Sequence, residues 1–328
     1  MTVRVNKDSF NLREKLSKLE RPIGLKGSEL MRAETSQEAR DLVSAGRKNL
    51  IINGDMRVAQ RGTSGTKSGS SYGGYLSVDR WAIYYDNTVI AQTDVTINGQ
   101  PKKACKVTAG SSNGRAYIYH KIENSSRLLG NGTPFSISFW ARASRIEQRQ
   151  INWRFYDHGT QNNGSASDVT VITIGTEWKH YKIENVSLID ANYNATRDGG
   201  LWLFNAVGDD IGTGFWFEFT EVQIEIGKNA TEFEHRPIGE ELALCQRYYW
   251  QQEDFLWLYS LDVNHSYVRC NIFHPVEMRA APTVTGTFNY TGSFSGFQSI
   301  TKKHTIPYVN GPGSNLVDIR DAKFNAEL

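Results

Sequence analysis

From Lys48 onward the chain alternates apolar and polar residues at period two, and Gly, Asn or Asp interrupts nearly every run. Segments such as PFSISFWARA, RQINWRFYD, GGLWLFNAV and GTGFWFEFTEVQIEIG can bury a single face only as extended strands, because successive side chains point to opposite sides. KACKVTA, GRAYIYHKI, SDVTVITI and WKHYKIENVSL continue the pattern. Many short strands with turn signals about 8–12 residues apart predict a mainly β protein, a sandwich or a barrel. KNLIINGDMRVAQRG reads as a strand broken at the Asn53-Gly54 turn. Residues 62–75, rich in Gly and Ser, read as a mobile surface loop.

Two stretches break the pattern. Residues 1–47 hold one aromatic, Phe10, and carry NLREKLSKLE and TSQEARDLVSAG. Leu12, Leu16 and Leu19 recur at helical spacing, and Thr35 with Glu38 matches a capping box. Two helices this short do not hold alone, so the segment is expected to be a helical arm that docks on something else. The second break is 228–253, where Leu242, Cys245 and Tyr249 share a helical face after Pro237. FLWLYSLD, SYVRCNIF, PTVTGTFNYT, KKHTIPYV and LVDIRDAKF follow it. The expected organisation is a helical arm at 1–47, a β-sandwich at 48–238, and a junction helix with a small C-terminal β domain at 239–328.

Composition narrows the function classes. Lys+Arg 37 against Asp+Glu 35 gives a net charge of +2, which argues against a nucleic-acid-binding surface. MTVRVNKDSF has no apolar run, so no signal peptide is expected, and no stretch is apolar enough to insert in a membrane. Cys105, Cys245 and Cys270 form no CxxC pair and read as buried free thiols of a protein folded in a reducing compartment. GSSYG at 69–73 matches a nucleophile motif only in letters, since no strand-to-helix turn surrounds Ser71. His120, His180 and His235 are scattered and read as solvated or hydrogen-bonded. No catalytic residue is assigned, and the chain is expected to be no enzyme.

The aromatics are the informative residues: 8 Trp, 15 Tyr and 15 Phe. Read face by face, Ile137, Phe139, Ala141, Ile151, Trp153, Leu201, Leu203, Phe215, Phe217 and Phe219 point inward. Trp140, Arg142, Arg154, Tyr156, Trp202, Phe204, Trp216 and Glu218 then point out, as do Tyr117 and Tyr119. Trp81 is expected in the core. Outward aromatics beside Arg and Glu suit a subunit interface, where Trp, Tyr and Arg are enriched. They equally suit stacking on the C–H faces of sugars. Trp140 with Arg142, Tyr156 with Arg154, and Trp202 are the candidate glycan contacts.

NLIINGDMRVAQRG followed by SVDRWAIY resembles the start of the jelly-roll domain of many bacteriophage tail fibre proteins. The resemblance continues through PFSISFWARAS, EWKHYKIENVSL and FEFTEVQIEIGKNATEFEHRPIGEELALCQRYYW, then VEMRAAPTVT and DAKFNAEL. The strand plan is also similar to carbohydrate-binding modules of glycoside hydrolases. What these resemblances imply is a jelly-roll β-sandwich in a virion component, made in the bacterial cytoplasm and assembled as a homotrimer. Residues 1–47 would dock to phage tail proteins, and the body would bind a bacterial surface polysaccharide or another envelope receptor. Two alternatives stay open: a structural tail adaptor bracing another fibre, and a carbohydrate-binding module of an enzyme system. The jelly-roll modules also imply a structural Ca²⁺ between an acidic side chain near the first strand and one on the last. Asp55 with Glu221 or Glu225 occupies those places.

Overall fold

The computed structural model describes residues 48–68, 74–84, 87–110, 117–156, 166–188, 198–206, 213–252, 256–259, 267–269, 271–290, 293–310 and 316–327. The two helices expected in 1–47 and Ser71 lie outside them. Eleven strands build the first part: β1 (Ser64–Thr66), β2 (Trp81–Tyr84), β3 (Val89–Ile97), β4 (Gln100–Thr108), β5 (Tyr117–Ile122), β6 (Phe135–Ala143), β7 (Glu147–Tyr156), β8 (Ala166–Ile174), β9 (Lys179–Val186), β10 (Asp198–Ala206) and β11 (Trp216–Ile226). They form a six-stranded sheet in the order β1-β3-β4-β11-β6-β9 and a five-stranded sheet in the order β2-β5-β10-β7-β8. Every pairing is antiparallel. The inward rows of both sheets meet in one core that includes Ile118, Phe139, Trp153, Leu201, Phe217 and Phe219. This is a mainly β fold with a jelly-roll-like sandwich, as the period-two pattern and the resemblance implied.

Among the register shifts of the sandwich, two change the alternation at positions that matter for the core and the outer face. In β11 the register to β6 jumps between Thr220 and Gln223, and Glu221 sits there at φ +51°. Inward positions therefore move from Phe217 and Phe219 to Val222 and Ile224. In β10 the register to β7 jumps between Trp202 and Asn205, with Phe204 at φ +64°. This corrects the outward reading of Phe204. The bulge turns both Leu203 and Phe204 into the core, where Phe204 packs 4.5 Å from Phe217 and edge-on to Phe139. The strand β3, to which the sequence reading assigned nothing, joins β4 through Asn98-Gly99 at φ +51° and +76°, the geometry of a type I′ hairpin turn.

The segment read as a first strand is instead an irregular run held by side-chain amides. Asn49 Nδ2 donates to Val222 O (3.1 Å), and its Oδ1 accepts from the backbone N–H of Ile51 (2.9 Å) and Ile224 (3.2 Å). Asn53 Nδ2 donates to Val58 O (2.8 Å) and Asp79 O (2.9 Å), and its Oδ1 accepts from Val58 N–H. A Cβ on Gly54 would stand 2.2 Å from Val222 O, so only glycine allows this approach to β11. Within the stretch read as a loop, Ser64–Thr66 instead pairs with β3.

A short helix α1 (Ser125–Leu129) follows β5, and the junction helix α2 (Ile238–Gln246) follows β11. Beyond α2 come β12 (Tyr249–Gln251), β13 (Leu256–Tyr259), β14 (Tyr267–Arg269), β15 (Ile272–Phe273), β16 (Thr283–Tyr290), β17 (Ser293–Ile300), β18 (His304–Asn310) and β19 (Leu316–Asn325). β19 pairs with β12, β13 and β16, and β18 pairs with β14, β15 and β17. A second core gathers on β19, with Trp250 stacked on Phe324 at 4.3 Å and Ile272, Met278 and Ile319 around them. Among the described residues no helix is long and apolar enough to cross a membrane. Cys105 and Cys245 are buried free thiols as expected, and the side chain of Cys270 lies outside the description.

Buried charge joins the two cores. Arg236 donates to Ile51 O (2.9 Å), to Asn49 O and to Glu241 on α2 (3.2 Å). Glu241 in turn accepts from the backbone N–H of Asn53. On the other side Glu327, next to the C-terminus, pairs with Arg80 and with Arg61 (3.2 Å). Arg80 lies 3.5 Å above the ring of Tyr248, and Arg61 lies 3.6 Å above that of Tyr249. Asp79 accepts from Gln60 and from Arg61 (3.4 Å).

Two fully enclosed arginines should respond oppositely to loss of charge. Both terminal guanidinium nitrogens of Arg236 are held by carbonyls and Glu241, and only its Nε lacks a partner, so Arg236→Met should cost about 3–5 kcal/mol by stranding that carboxylate. Arg149 points into the sandwich with no hydrogen-bond partner for any guanidinium nitrogen, only the ring of Phe215 at 4.6 Å. Burial pulls its pKa down to about 10. Arg149→Met should therefore raise stability, by about 1–4 kcal/mol. Urea unfolding of both variants checks the opposite signs.

Burial pushes the Asp79 carboxyl up to about 6, against the pull of Arg61 and Gln60. A raised acid favours the folded state below its unfolded value near 3.8, and that contribution is lost as pH rises through 6. Asp79→Asn cannot ionise, so its stability relative to the parent should improve steadily between pH 4 and 7. Denaturant midpoints across that range measure the difference. A pH-independent difference would mean that Asp79 titrates normally.

Candidate functional site

The outer face of the six-stranded sheet carries the densest group of aromatic and charged side chains among the described residues. Antiparallel register builds it in rows. One row crosses Lys106, Glu218 and Arg142, with Trp178 just before β9 at its end. The next crosses Ala104, Thr220, Trp140 and His180. Arg142 donates from Nε (2.8 Å) and Nη2 (2.7 Å) to Oε2 of Glu218, whose side chain is only 5% exposed. The same guanidinium sits 5.0 Å from the ring of Trp178 and 5.7 Å from that of Trp216. Lys106 Nζ lies 4.4 Å above Trp216. Trp140 stacks on His180 at 5.1 Å with the rings 20° apart.

These tryptophans stay half-buried because a small apolar cluster underlies them. Val95, Ile97 and Ala104 are buried on the outward side of β3 and β4, and Trp140 and Trp178 pack against them. The indoles are thus fixed on a hydrophobic base while part of each ring remains in solvent. His180 has a lowered pKa, from burial first and then from Lys182, with Glu221 opposing. It is therefore a neutral ring at pH 7, suited to stacking and to a single hydrogen bond.

The sequence candidates divide under this geometry. Trp140 and Arg142 lie where the alternation put them, on the outward face and in adjacent rows. Trp216 and Glu218 also point outward, and Trp81 is fully buried as expected. Trp202 occupies the outward row of the five-stranded sheet but is buried at 7% exposure, stacked on Tyr119 at 4.6 Å with Tyr75 and Ala82 against them. The expectation of an open Trp202 is thus corrected, and Tyr119 with it. The rings cover each other because Trp202, Tyr119 and Ala82 are direct cross-strand neighbours. The side chains of Arg154 and Tyr156 lie outside the described residues. Trp178 and His180 were not chosen from the sequence. Their signal was the alternation Trp178, His180 against Lys179, Tyr181, which already placed the pair on one face.

The proposed calcium ligands separate into two places. Asp55 pairs with Arg57, and Glu221 pairs with Lys102 and lies 3.8 Å from His235. Glu225 is elsewhere, accepting from Thr231 N–H (2.7 Å), Thr231 Oγ1 (2.7 Å) and Gln223 (2.8 Å). Glu225 thus has its donors supplied by the protein and does not join Asp55. Among the described residues no three His, Cys, Asp or Glu side chains gather as a metal site. His120 is buried and hydrogen-bonded to Ile52 O at 3.0 Å, edge-on to Trp81.

No family model matches this sequence, and no curated protein does. Solved structures are similar at low identity. A family 4 carbohydrate-binding module is 14% identical over 54% of this chain and 99% of its own, with a TM-score of 0.34. A putative sugar-binding protein of Bacteroides thetaiotaomicron is 14% identical over 55% of this chain and all of its own, with a TM-score of 0.36. The enzymatically active domain of tailspike protein 4 of bacteriophage CBA120 is 15% identical over 55% of this chain and 21% of its own, with a TM-score of 0.34. At scores of this size the similarities carry no weight for ligand or partner.

Proposed function

We propose that the body of this protein is a non-enzymatic glycan-binding module, and that it serves as a bacteriophage tail fibre that attaches to a bacterial surface polysaccharide. The observation that carries the binding reading is the fixed group on the six-stranded sheet: Arg142 held by Glu218 between Trp178 and Trp216, beside the Trp140–His180 stack. Indole faces accept the C–H side of a pyranose ring. The part-exposed guanidinium presents donors to its hydroxyls, and the buried Glu218 holds that guanidinium in place. The carboxylate is neutralised by its own arginine, which suits it to hydrogen bonding rather than to acid–base work. The tail-fibre reading is supported by the NLIINGDMRVAQRG to DAKFNAEL resemblance. It carries with it a homotrimer, residues 1–47 docked to the phage tail, a place in the virion, and 48–238 and 239–328 as successive domains.

Replacing Trp140 or Trp178 by Ala should weaken adsorption to host cells. Stacking of aromatics on nucleobases sets a loose scale of ~1–3 kcal/mol, and about 1.4 kcal/mol is tenfold in affinity. Light scattering should give a trimer for the parent and for both variants. A trimer that dissociates in the variants while monomer binding to the polysaccharide persists would make this face a subunit interface instead. Full adsorption by both variants would remove the face from the receptor site.

A further inference from the structure

A second polar site continues the aromatic face at the bulge of β11. Thr220 stands directly across from Trp140, and the next residue, Glu221, is turned by its left-handed backbone into a separate cavity of about 330 Å³. Asp55, Arg57, Lys102, Thr220, Glu221 and His235 line that cavity. Its volume lies at the small end of the ~300–1,000 Å³ range of ligand pockets. Along β4, Lys106 beside Trp216 and Lys102 in the cavity are four residues apart, on one face of the strand. At ~3.3 Å per residue the face and cavity together span ~13 Å, the length of a short oligosaccharide.

The chemistry of the cavity selects among ligand classes. Asp55 is 7% exposed, and its Oδ1 is buried without a hydrogen-bond partner, although its Oδ2 is held by Arg57. An acceptor left in this state costs free energy until a donor reaches it. Glu221 is likewise held on one oxygen, by Lys102. Each carboxylate therefore has a cation beside it, and a divalent metal would meet the positive charge of Arg57 and Lys102 at the cavity wall. A strongly anionic group would meet two carboxylates. What the wall offers is a mixture of neutralised acceptors and donors, which matches a set of hydroxyl groups.

Resting on the glycan reading of the aromatic face, we infer that this cavity is a terminal sugar subsite, in which an uncharged hexose or N-acetylhexosamine donates a hydroxyl to Asp55 Oδ1 and contacts Glu221, while the preceding units lie on Trp140 and Trp178. The left-handed Glu221 is then a functional feature of the bulge, aiming a carboxylate that a regular strand would keep in line.

The test uses the full-length chain and a fixed panel: neutral hexose and N-acetylhexosamine di- and trisaccharides with their uronic-acid counterparts. Saturation-transfer NMR identifies binders, and calorimetry ranks them for the parent, for Asp55→Asn with Glu221→Gln, and for Trp178→Ala. The expected result is a neutral trisaccharide whose affinity falls at least tenfold in the Asp55/Glu221 variant while its disaccharide is unchanged. His235→Ala, at a 67% exposed side chain, repeats the measurement without touching the buried pair and should weaken the trisaccharide alone. Parent-like binding by these variants, with loss in Trp178→Ala, overturns the subsite and leaves the face standing. Loss in the cavity variants with full binding by Trp178→Ala keeps the cavity as a sugar site but overturns the placement of the preceding units on the face, and with it the terminal-subsite inference. A panel bound only through uronic acids overturns the neutral class, and a panel that binds nowhere overturns both readings. A rise in melting temperature with 1 mM CaCl₂ that Asp55→Asn abolishes assigns the cavity to a cation and overturns the inference.

Discussion

The hydrogen-bond network of Asn49, Asn53, Arg236 and Glu241 is the constraint on which the rest of this structure depends. The run 49–58 makes no strand, yet it supplies partners to β11 where β4 departs: Leu50 N–H donates to Ile224 O, and Val222 N–H donates to Gly54 O. Two buried asparagines replace the missing ladder, and Arg236 satisfies the carbonyls of Asn49 and Ile51. Because Glu241 belongs to α2, the network that closes the sandwich also fixes the first turn of the junction helix. One set of partners therefore positions both the central strand of the aromatic face and the C-terminal sheets. Buried polar groups of this kind are costly unless fully satisfied, and their satisfaction makes a single arrangement preferable to its near neighbours.

The bulges translate that scaffold into a surface. A regular β11 would send every second residue outward in one line from Trp216 to Ile226. The inserted residue at Glu221 divides the strand instead. Its first half presents Trp216, Glu218 and Thr220 to the aromatic face, and its second half returns Val222 and Ile224 to the core. The Phe204 bulge does the converse in the opposite sheet, adding a ring to the core directly beneath Phe217 and Phe219. Core and surface are thus adjusted by the same local device, a two-for-one register step.

Much of this was legible in the sequence, for a physical reason. Alternation reports burial wherever one face is buried, so Ile137, Phe139, Ala141, Phe217 and Phe219 were placed by pattern alone. It failed at Phe204 because a bulge leaves no mark in composition: the residue at φ +64° is a phenylalanine, not a glycine. It failed at Trp202 because alternation gives the side of the sheet and says nothing of what covers that side. The first-strand reading of 48–58 failed because Asn49 and Asn53, which look like turn formers, are a buried substitute for backbone pairing. The site was legible in part. Trp140 and Arg142 follow from β6 alone, but Trp178, Trp216 and Glu218 join them only through a register that spans β4, β11, β6 and β9.

That register also preorganises the face proposed to bind glycan. A flexible arginine loses rotamer freedom on meeting a ligand, at ~0.5–1.5 kcal/mol per immobilised side chain. Arg142 has already lost it, fixed by two hydrogen bonds to Glu218 and by the two indoles that flank it. Trp140 and Trp178 are seated on Val95, Ile97 and Ala104 before any ligand arrives. Preorganisation raises the affinity of each site without adding contacts. In the proposed trimer it has a second effect, since linked sites gain from one another only if their geometry is held. Within one chain, the ion pairs of Arg61 and Arg80 with Glu327 hold the segment after β19 against the sandwich. In the proposed trimer, weak contacts on such a repeated surface would add up along a polymer of identical sugars.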